Sequence, residues 1–444
     1  MRILDWNSLD KAGRRAALAR PLLKTAADVQ RVALDAIERV RREGDSAILE
    51  LAARFDGAAP ATLRVSPQEF ADARCALTDE QVAALARAIG NVQKFHQAQA
   101  PKPLRLETEP GVCCEQLVRP IARVGLYVPA GTAALPSAVV MLGVPSRIAG
   151  CPTRILCTPP RPDGRAHPSV LVAAELCGID TVFKVGGAQA IAAMAYGTAT
   201  IPKVDKIFGP GNGWVTAAKQ FVAMDPGSAA CDLPAGPSEV MVVADESASA
   251  GFVAADLLAQ AEHDVLAQGL LVTTSRTLAE EVGAEIHLQG VELRRAAILG
   301  QSLVSCRGIV VPDLETAMRV ANAYAPEHLM LELREPRRAL ALVENAGSVF
   351  LGPWSPEPVG DYCSGPNHVL PTYGFARVLS GLSVRDFVKT ISVQELTPAG
   401  LRGLASTAIR LATLEGLDAH KNAVQRRLDF LDAASADAAI GVGA

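Results

Sequence analysis

Between residues 120 and 352, short apolar runs alternate with stretches of helical periodicity, and this alternation leaves few architectures open. "RVGLYV" (123–128) reads as a strand and "LPSAVVMLGVPSRIAG" (135–150) as a helix. The pair repeats as "TRILCTPP" (153–160) with "HPSVLVAAELCG" (167–178), "TVFKVGG" (181–187) with "AQAIAAMAYG" (188–197), and "KVDKIFGPG" (203–211) with "NGWVTAAKQFVAM" (212–224). After "CDLPAGPS" (231–238) the rhythm resumes. "EVMVVAD", "GLLVTTS", "GIVVPD" and "SVFLG" are strand-like, with helices between them. Apolar strands separated by helices are βα units, which build parallel sheets. The prediction is an α/β chain with two runs of such units. No clear sequence repeat relates the two runs.

The flanks read as helical. "TAADVQRVALDAIERVRREG" (25–44) has apolar residues three and four apart and a charged opposite face. "SPQEFADARCALTDEQVAALARAIGNVQKFHQAQA" (66–100) carries Ser66–Pro67 and Thr78 as start signals. After residue 380 the strands are expected to stop. "TPAGLRGLASTAIRLATLEG" (397–416) opens with Thr397 as cap and Pro398 at the first helical position. A second helix follows from near Asp418, giving a helical pair with an exposed apolar stripe, and residues 433–444 are expected to fray.

Composition removes several function classes. With 444 residues, 49% apolar and 20% charged, the chain has material for a large core and, by length, roughly three domains. A net charge of −4 provides no broad basic surface, and aromatics at 4% provide no base-stacking platform, so nucleic acid is not the expected partner. Nine cysteines, an odd number without a CxxC pair, read as reduced thiols of a cytosolic protein. The segment "MRILDWNSLDKAGRRAALAR" lacks the apolar core of a signal peptide. The apolar run 135–150 is interrupted by Pro145 and Arg147, and no run reaches membrane-spanning length.

Six stretches hold residues that can do chemistry. The Gly-rich turns "VGGAQA" (185–190) and "FGPGNGW" (208–214) each follow a strand and open a helix. Such a turn can hold an anion on its N–H groups, or simply be the turn that any βα unit needs. In "AYAPEHLML" (323–331), Pro326 disfavours helix at Ala325, so Glu327 and His328 are expected in a loop just past a helix end. An adjacent carboxylate and imidazole suit acid–base work near neutral pH; a capped surface loop would look the same. "VGDYCSGPNHVLPT" (359–372) offers Asp361 and His368 to a metal or ligand, or is merely irregular. "LEGLDAHKNAV" (414–424) places Glu415 at one helix end and His420 in the first turn of the next, where both can equally be solvated. Finally, the apolar helix "ASAGFVAADLLAQAEHD" (248–264) ends in a polar cluster, with Gln260 and His263 three apart and so on one helix face. Two histidines and a carboxylate make a reasonable transition-metal site, zinc first; a solvated helix end is the plain alternative.

Taken together, these stretches resemble the histidinol dehydrogenases over nearly the whole chain. "GLYVPAG", "VGGAQAIAAMAYGT", "DKIFGPGN", "PAGPSE", "QAEHD", "APEHL", "GDYCSGPNHVLPT" and "EGLDAHKNAV" occur in the family's order. The resemblance implies oxidation of L-histidinol to L-histidine by way of histidinal, with two NAD⁺ and one zinc per subunit. It implies Gln260, His263, Asp361 and His420 as zinc ligands and Glu327 with His328 as the acid–base pair. Ser238, His368 and Glu415 would join His328 and the metal ligands in holding histidinol, and Tyr127, Gln189 and Asn212 would line the NAD site. One departure is Val265, where many relatives carry proline; the resemblance implies an altered turn there and no lost chemistry.

The implied fold is two incomplete Rossmann-like domains plus small helical pieces. The corresponding division is a helical segment at 1–24, a first α/β domain from 25–126 and 238–380, a second at 127–237, and a helical tail at 381–444 for dimerisation. The implied partner is a second copy, with the active site shared between subunits, in the cytoplasm. Rival readings are a related zinc and NAD dehydrogenase acting on another hydroxylated substrate, a zinc hydrolase with Glu327 as base, and a non-catalytic NAD-binding protein. Formation of NADH from histidinol separates them.

Overall fold

The computed structural model describes residues 1–21, 26–58, 60–130, 133–234 and 236–440. The expected boundary between residues 24 and 25, Gly131, Ala235 and the last four residues of the tail lie outside these. In chain order the strands are β1 (Arg2–Asp5), β2 (Leu104–Glu109), β3 (Val112–Pro120), β4 (Arg123–Tyr127), β5 (Thr153–Thr158), β6 (Val182–Lys184) and β7 (Lys206–Phe208). They continue with β8 (Ala230–Cys231), β9 (Glu239–Ala244), β10 (Gln268–Thr273), β11 (Arg307–Val310), β12 (His328–Glu332), β13 (Ser348–Leu351) and β14 (Val388–Leu396).

Two parallel sheets form in the first of two compact units, residues 1–100 and 120–387. One has the order β6-β5-β4-β7-β8 and the other β1-β11-β10-β9-β12-β13. With β1 set aside, both read third, second, first, fourth, fifth within their own run of βα units. Each therefore reverses direction once, between β4 and β7 and between β9 and β12, as a Rossmann-like sheet does. The expected α/β class with two Rossmann-like sheets is what the chain adopts.

Central strands are apolar along most of their length because both faces are covered. All six residues of β9 are buried. Val240 and Val242 face one core with the helices Ala250–Ala261 and Arg276–Gly290, while Met241 and Val243 face another with the helix Leu314–Tyr324.

The structure departs from the sequence reading in four places. Residues 2–5, expected in a helical segment, form β1 and pair in parallel with β11, and a helix follows only at Lys11–Ala17. The resemblance groups the helices between 26 and 98 with 238–380, but they pack on the helices that flank the five-stranded sheet. Ala26–Glu43 lies against the helices Gly187–Tyr196 and Gly213–Met224, and Asp79–Ala98 against Pro136–Ile148. Their apolar stripes complete the cores that its strands begin. His328, expected in a loop beside Glu327, instead opens β12, which is buried at every residue between β9 and β13, while Glu327 lies in the bend just before it. The tail begins with a strand, β14, rather than a helix.

The second unit comprises residues 101–119 and 388–444. It holds a sheet of order β14-β3-β2, with β2 and β3 antiparallel, and the helices Pro398–Leu414 and Asp418–Ile440 packed on each other. As expected, Thr397 caps the first of these, its Oγ1 accepting from Gly400 N–H at 3.1 Å. Among the described residues, no helix is long and apolar enough to cross a membrane.

Candidate active site

The polar residues of the first unit gather at two places. The first is the amino edge of β9 and β12. The helix Ala250–Ala261 runs back from the end of β9 and delivers Gln260, fully buried, to this edge. The helix ends at Ala261, so His263 lies in the turn beyond it rather than on its face, with Gln260 Nε2 and His263 Nδ1 3.1 Å apart. Val265, in the same turn, is exposed, and the turn closes through Leu266 N–H on Asp264 at 2.9 Å.

His328 opens β12 and is buried. Its Nδ1 lies 3.2 Å from the Glu239 carbonyl oxygen and 3.2 Å from Gln260 Oε1. Two oxygen acceptors fix the ring proton on Nδ1 and leave Nε2 to take a proton or a metal. That Nε2 has no hydrogen-bond partner; Asp361 Oδ1 lies 3.4 Å from it and Glu357 Oε1 3.8 Å. Burial pulls against a charged ring here, but Glu327, Asp361 and Glu357 outweigh it and raise His328 while no cation offsets them; a bound zinc would counter those carboxylates and favour the neutral ring that can take a proton. Glu327 accepts from Glu239 N–H at 2.8 Å, and burial, opposed by His328, pushes its carboxyl up to about 8. Burial also works against the charge on Asp361, yet His328 and His368 hold it below the usual carboxylate range. Burial pulls His263 down, toward the neutral form that binds metals.

His368 joins through its Nδ1–H, which donates to the Asp361 carbonyl at 2.7 Å. A cavity of about 500 Å³ opens onto His328, Asp361, Asn367 and His368, with Phe350 and the exposed Trp354 on its apolar side. Ser238 is half-buried immediately before β9.

The second place is the carboxyl edge of the five-stranded sheet, at its reversal point, where open α/β sheets bind ligands. Tyr127 ends β4, and its hydroxyl accepts from Gly187 N–H at 3.1 Å. Gln189 is buried two residues further on, with its Nε2 unpartnered. Asn212 caps the helix Gly213–Met224, its side chain accepting from Val215 N–H at 3.2 Å. The turn before it is pinned at Gly209, whose N–H donates to Asp232 at 2.7 Å and whose carbonyl accepts from Lys219 at 2.9 Å. Gly209 has φ +126, and a methyl there would run into the Tyr127 carbonyl.

The chain matches known proteins over nearly its whole length. A family model described as histidinol dehydrogenase matches residues 19–428. The chain is 54% identical over 428 residues to the histidinol dehydrogenase of Xanthomonas oryzae pv. oryzae (strain KACC10331 / KXO85), covering 96% of this chain and 99% of that one. It is 50% identical over 435 residues to the histidinol dehydrogenase of Vibrio vulnificus (strain YJ016), covering 98% and 100%. The crystal structure of histidinol dehydrogenase from Elizabethkingia anophelis superposes with a TM-score of 0.93 at 42% identity, over 97% of this chain and 99% of that one. The chain belongs to the histidinol dehydrogenase family.

For a histidinol dehydrogenase, the first unit thus brings together Gln260, His263, Glu327, His328, Asp361 and His368. Glu415 and His420 belong to the second unit, where both are exposed. A metal fits the donors at the amino edge. His328, Glu357 and Asp361 offer ligand atoms all within 4.8 Å of one another, and the facing atoms of His328 and Glu357 are buried without partners. Imidazole nitrogens and carboxylate oxygens are zinc donors. This trio shares Asp361 with the set implied by resemblance, and His328 sits against Gln260. Sequence reasoning missed Glu357 and Glu239. Glu357 stands four residues before Asp361 in "PEPVGD", the spacing that puts two side chains on one helix face.

Proposed function

We propose that Glu327 and His328 are the acid–base pair with which this member of the histidinol dehydrogenase family oxidises histidinol to histidine. The observation that carries the reading is the His328 ring: Nδ1 faces two carbonyl-type oxygens, and Nε2 is buried, unpartnered and flanked by carboxylates. His328 takes the hydroxyl proton as the first hydride leaves carbon for NAD⁺, giving histidinal. Glu327, helped by His328, takes a proton from the water that adds to the aldehyde, and the second hydride leaves the hydrate for a second NAD⁺. Histidinol is held by Ser238, His368 and Glu415 with the metal-binding residues. Tyr127, Gln189 and Asn212 line the NAD site, which the unpartnered Gln189 amide supports.

Gln260, His263 and Asp361 hold zinc together with His420, with Glu357 adjoining them. When bound, the ion templates the imidazole and amine of the substrate rather than activating water. His420 and Glu415 come from the partner subunit of a homodimer; their exposure on the helical pair, far in sequence from the other ligands, motivates this assignment. The nine free cysteines suit the reducing cytoplasm. The test is NADH formation from histidinol, with bound zinc assayed alongside. A hydrolase would bind metal and yield no NADH, and that result would remove the proposal.

A further inference from the structure

Glu239, the first residue of β9, holds both members of the pair with its main chain. Its N–H donates to Glu327 at 2.8 Å, and its carbonyl lies 3.2 Å from His328 Nδ1. The position of this one peptide therefore sets where both groups point. What fixes Glu239 lies at the far end of the sequence. Its buried carboxylate takes a two-pronged ion pair from Arg20, Nε to Oε1 at 2.5 Å and Nη2 to Oε2 at 2.8 Å, and a third bond from Tyr373 N–H at 2.8 Å.

The same guanidinium also holds the turn that leads into the pair. Arg20 Nη2 donates to the carbonyls of Tyr324 at 2.9 Å and Ala325 at 3.3 Å, and the guanidinium lies 3.9 Å from the centre of the Tyr324 ring. Ala325 has φ +54, a left-handed conformation that strains a residue with a side chain. Pro326 follows it, and then Glu327 and His328. One planar fork thus ties the start of β9 to the strained turn before β12. A lysine, with a point charge and no fork, cannot make these bonds together.

We propose that Arg20 is a positioning residue for the acid–base pair, acting through Glu239 and the Ala325 turn; this rests on the roles given to Glu327 and His328 above. Arg20 touches neither reacting atoms nor the proposed ligands. Its loss should therefore spare substrate binding and slow the chemistry. Misplacing a reacting group by about 1 Å costs on the order of 100-fold in rate, so kcat should fall by roughly 10- to 100-fold in Arg20→Lys and Arg20→Ala while KM changes far less.

The experiment measures kcat and KM for both variants with histidinol and with histidinal, with zinc content and melting temperature recorded. Glu327→Gln and His328→Ala run alongside. Methylguanidinium, added well below denaturing concentration, should restore part of kcat to Arg20→Ala and none to Arg20→Lys, whose ammonium fills the space. If Arg20→Ala fails to fold, Arg20→Lys decides by its kcat-against-KM split. A folded Arg20→Lys with wild-type kcat overturns the proposal. So does a loss carried by KM and zinc content. Wild-type turnover in both Glu327→Gln and His328→Ala would instead overturn the acid–base reading itself, whatever the arginine variants do.

Discussion

Gln260 Oε1 lies 3.2 Å from His328 Nδ1, so a helix that ends in an amide and a strand that opens with an imidazole meet at one ring. The groups proposed to bind metal and the proposed acid–base pair are thus contiguous, and zinc removal should be felt by the chemistry at once. Each purified chain should carry about one zinc, as expected for a single set of nitrogen and oxygen donors. His263→Ala should lose most of it, and strong chelation should abolish NADH formation until zinc is returned. Full activity in protein shown to be metal-free would overturn the assignment.

The two acid–base residues should separate by step. Glu327→Gln should retain much of aldehyde formation from histidinol and convert histidinal poorly. His328→Ala should impair both steps, each by roughly 10²–10⁴-fold, the usual contribution of a positioned proton-transfer group. Single-turnover measurements with each substrate check this. Equal losses on both substrates in Glu327→Gln, with no loss in His328→Ala, would reverse the roles.

Mixing variants tests the shared site. His263→Ala chains and His420→Ala chains, each inactive alone, are combined under conditions that exchange subunits. In a mixed dimer one site collects both defects and the other collects neither, so about half of the wild-type activity per mixed dimer should return. Mixed dimers demonstrated by mass spectrometry, yet still dead, would mean that each site is built from one chain.

Glu332, the last residue of β12, should make stability fall with rising pH. Its carboxyl is buried, Oε2 has no partner, and burial with help from Asp256 pushes it from 4.5 up to about 7. Between about 4.5 and 7 the folded chain then binds more protons at this group than the unfolded chain, so stability drops as pH rises through that window. Glu332→Gln removes the slope. At pH 8 the variant should melt above the wild type by about 2 °C, a modest shift for a chain this long. The two should converge near pH 4.5. Parallel melting curves across that range would show that the carboxyl carries no such cost.

The βα rhythm was legible because a doubly covered parallel strand is apolar along most of its length. The same rule hides β12: "HLMLE" is a buried central strand, but a histidine at its start and a proline just before it read as loop. Strand β1 escaped notice because four residues, "RILD", with charge at both ends carry no period. β2 escaped because its apolar positions, Leu104 and Leu106, are exposed. In the site, "QAEHD", "APEHL" and the loop at 359–372 were each visible as clusters of reactive side chains. Glu239 was missed, although it stands directly ahead of the apolar run "VMVVA", and so was its partner, because nothing in a linear reading joins an arginine at position 20 to a glutamate 219 residues later.

The pairing of β1 with β11 also sets an order of events during synthesis. Residues 2–5 are synthesised some 300 residues ahead of the strand they pair with, 307–310. At about 5–20 residues per second, that is a wait of roughly 15–60 s. During it, the edge strand has no sheet to join, and the arginine behind it has no counter-charge until Glu239 is made 219 residues later. Glu239, the Ala325 turn and Asp361 arrive in that sequence, so the reactive centre closes only after about four-fifths of the chain exists.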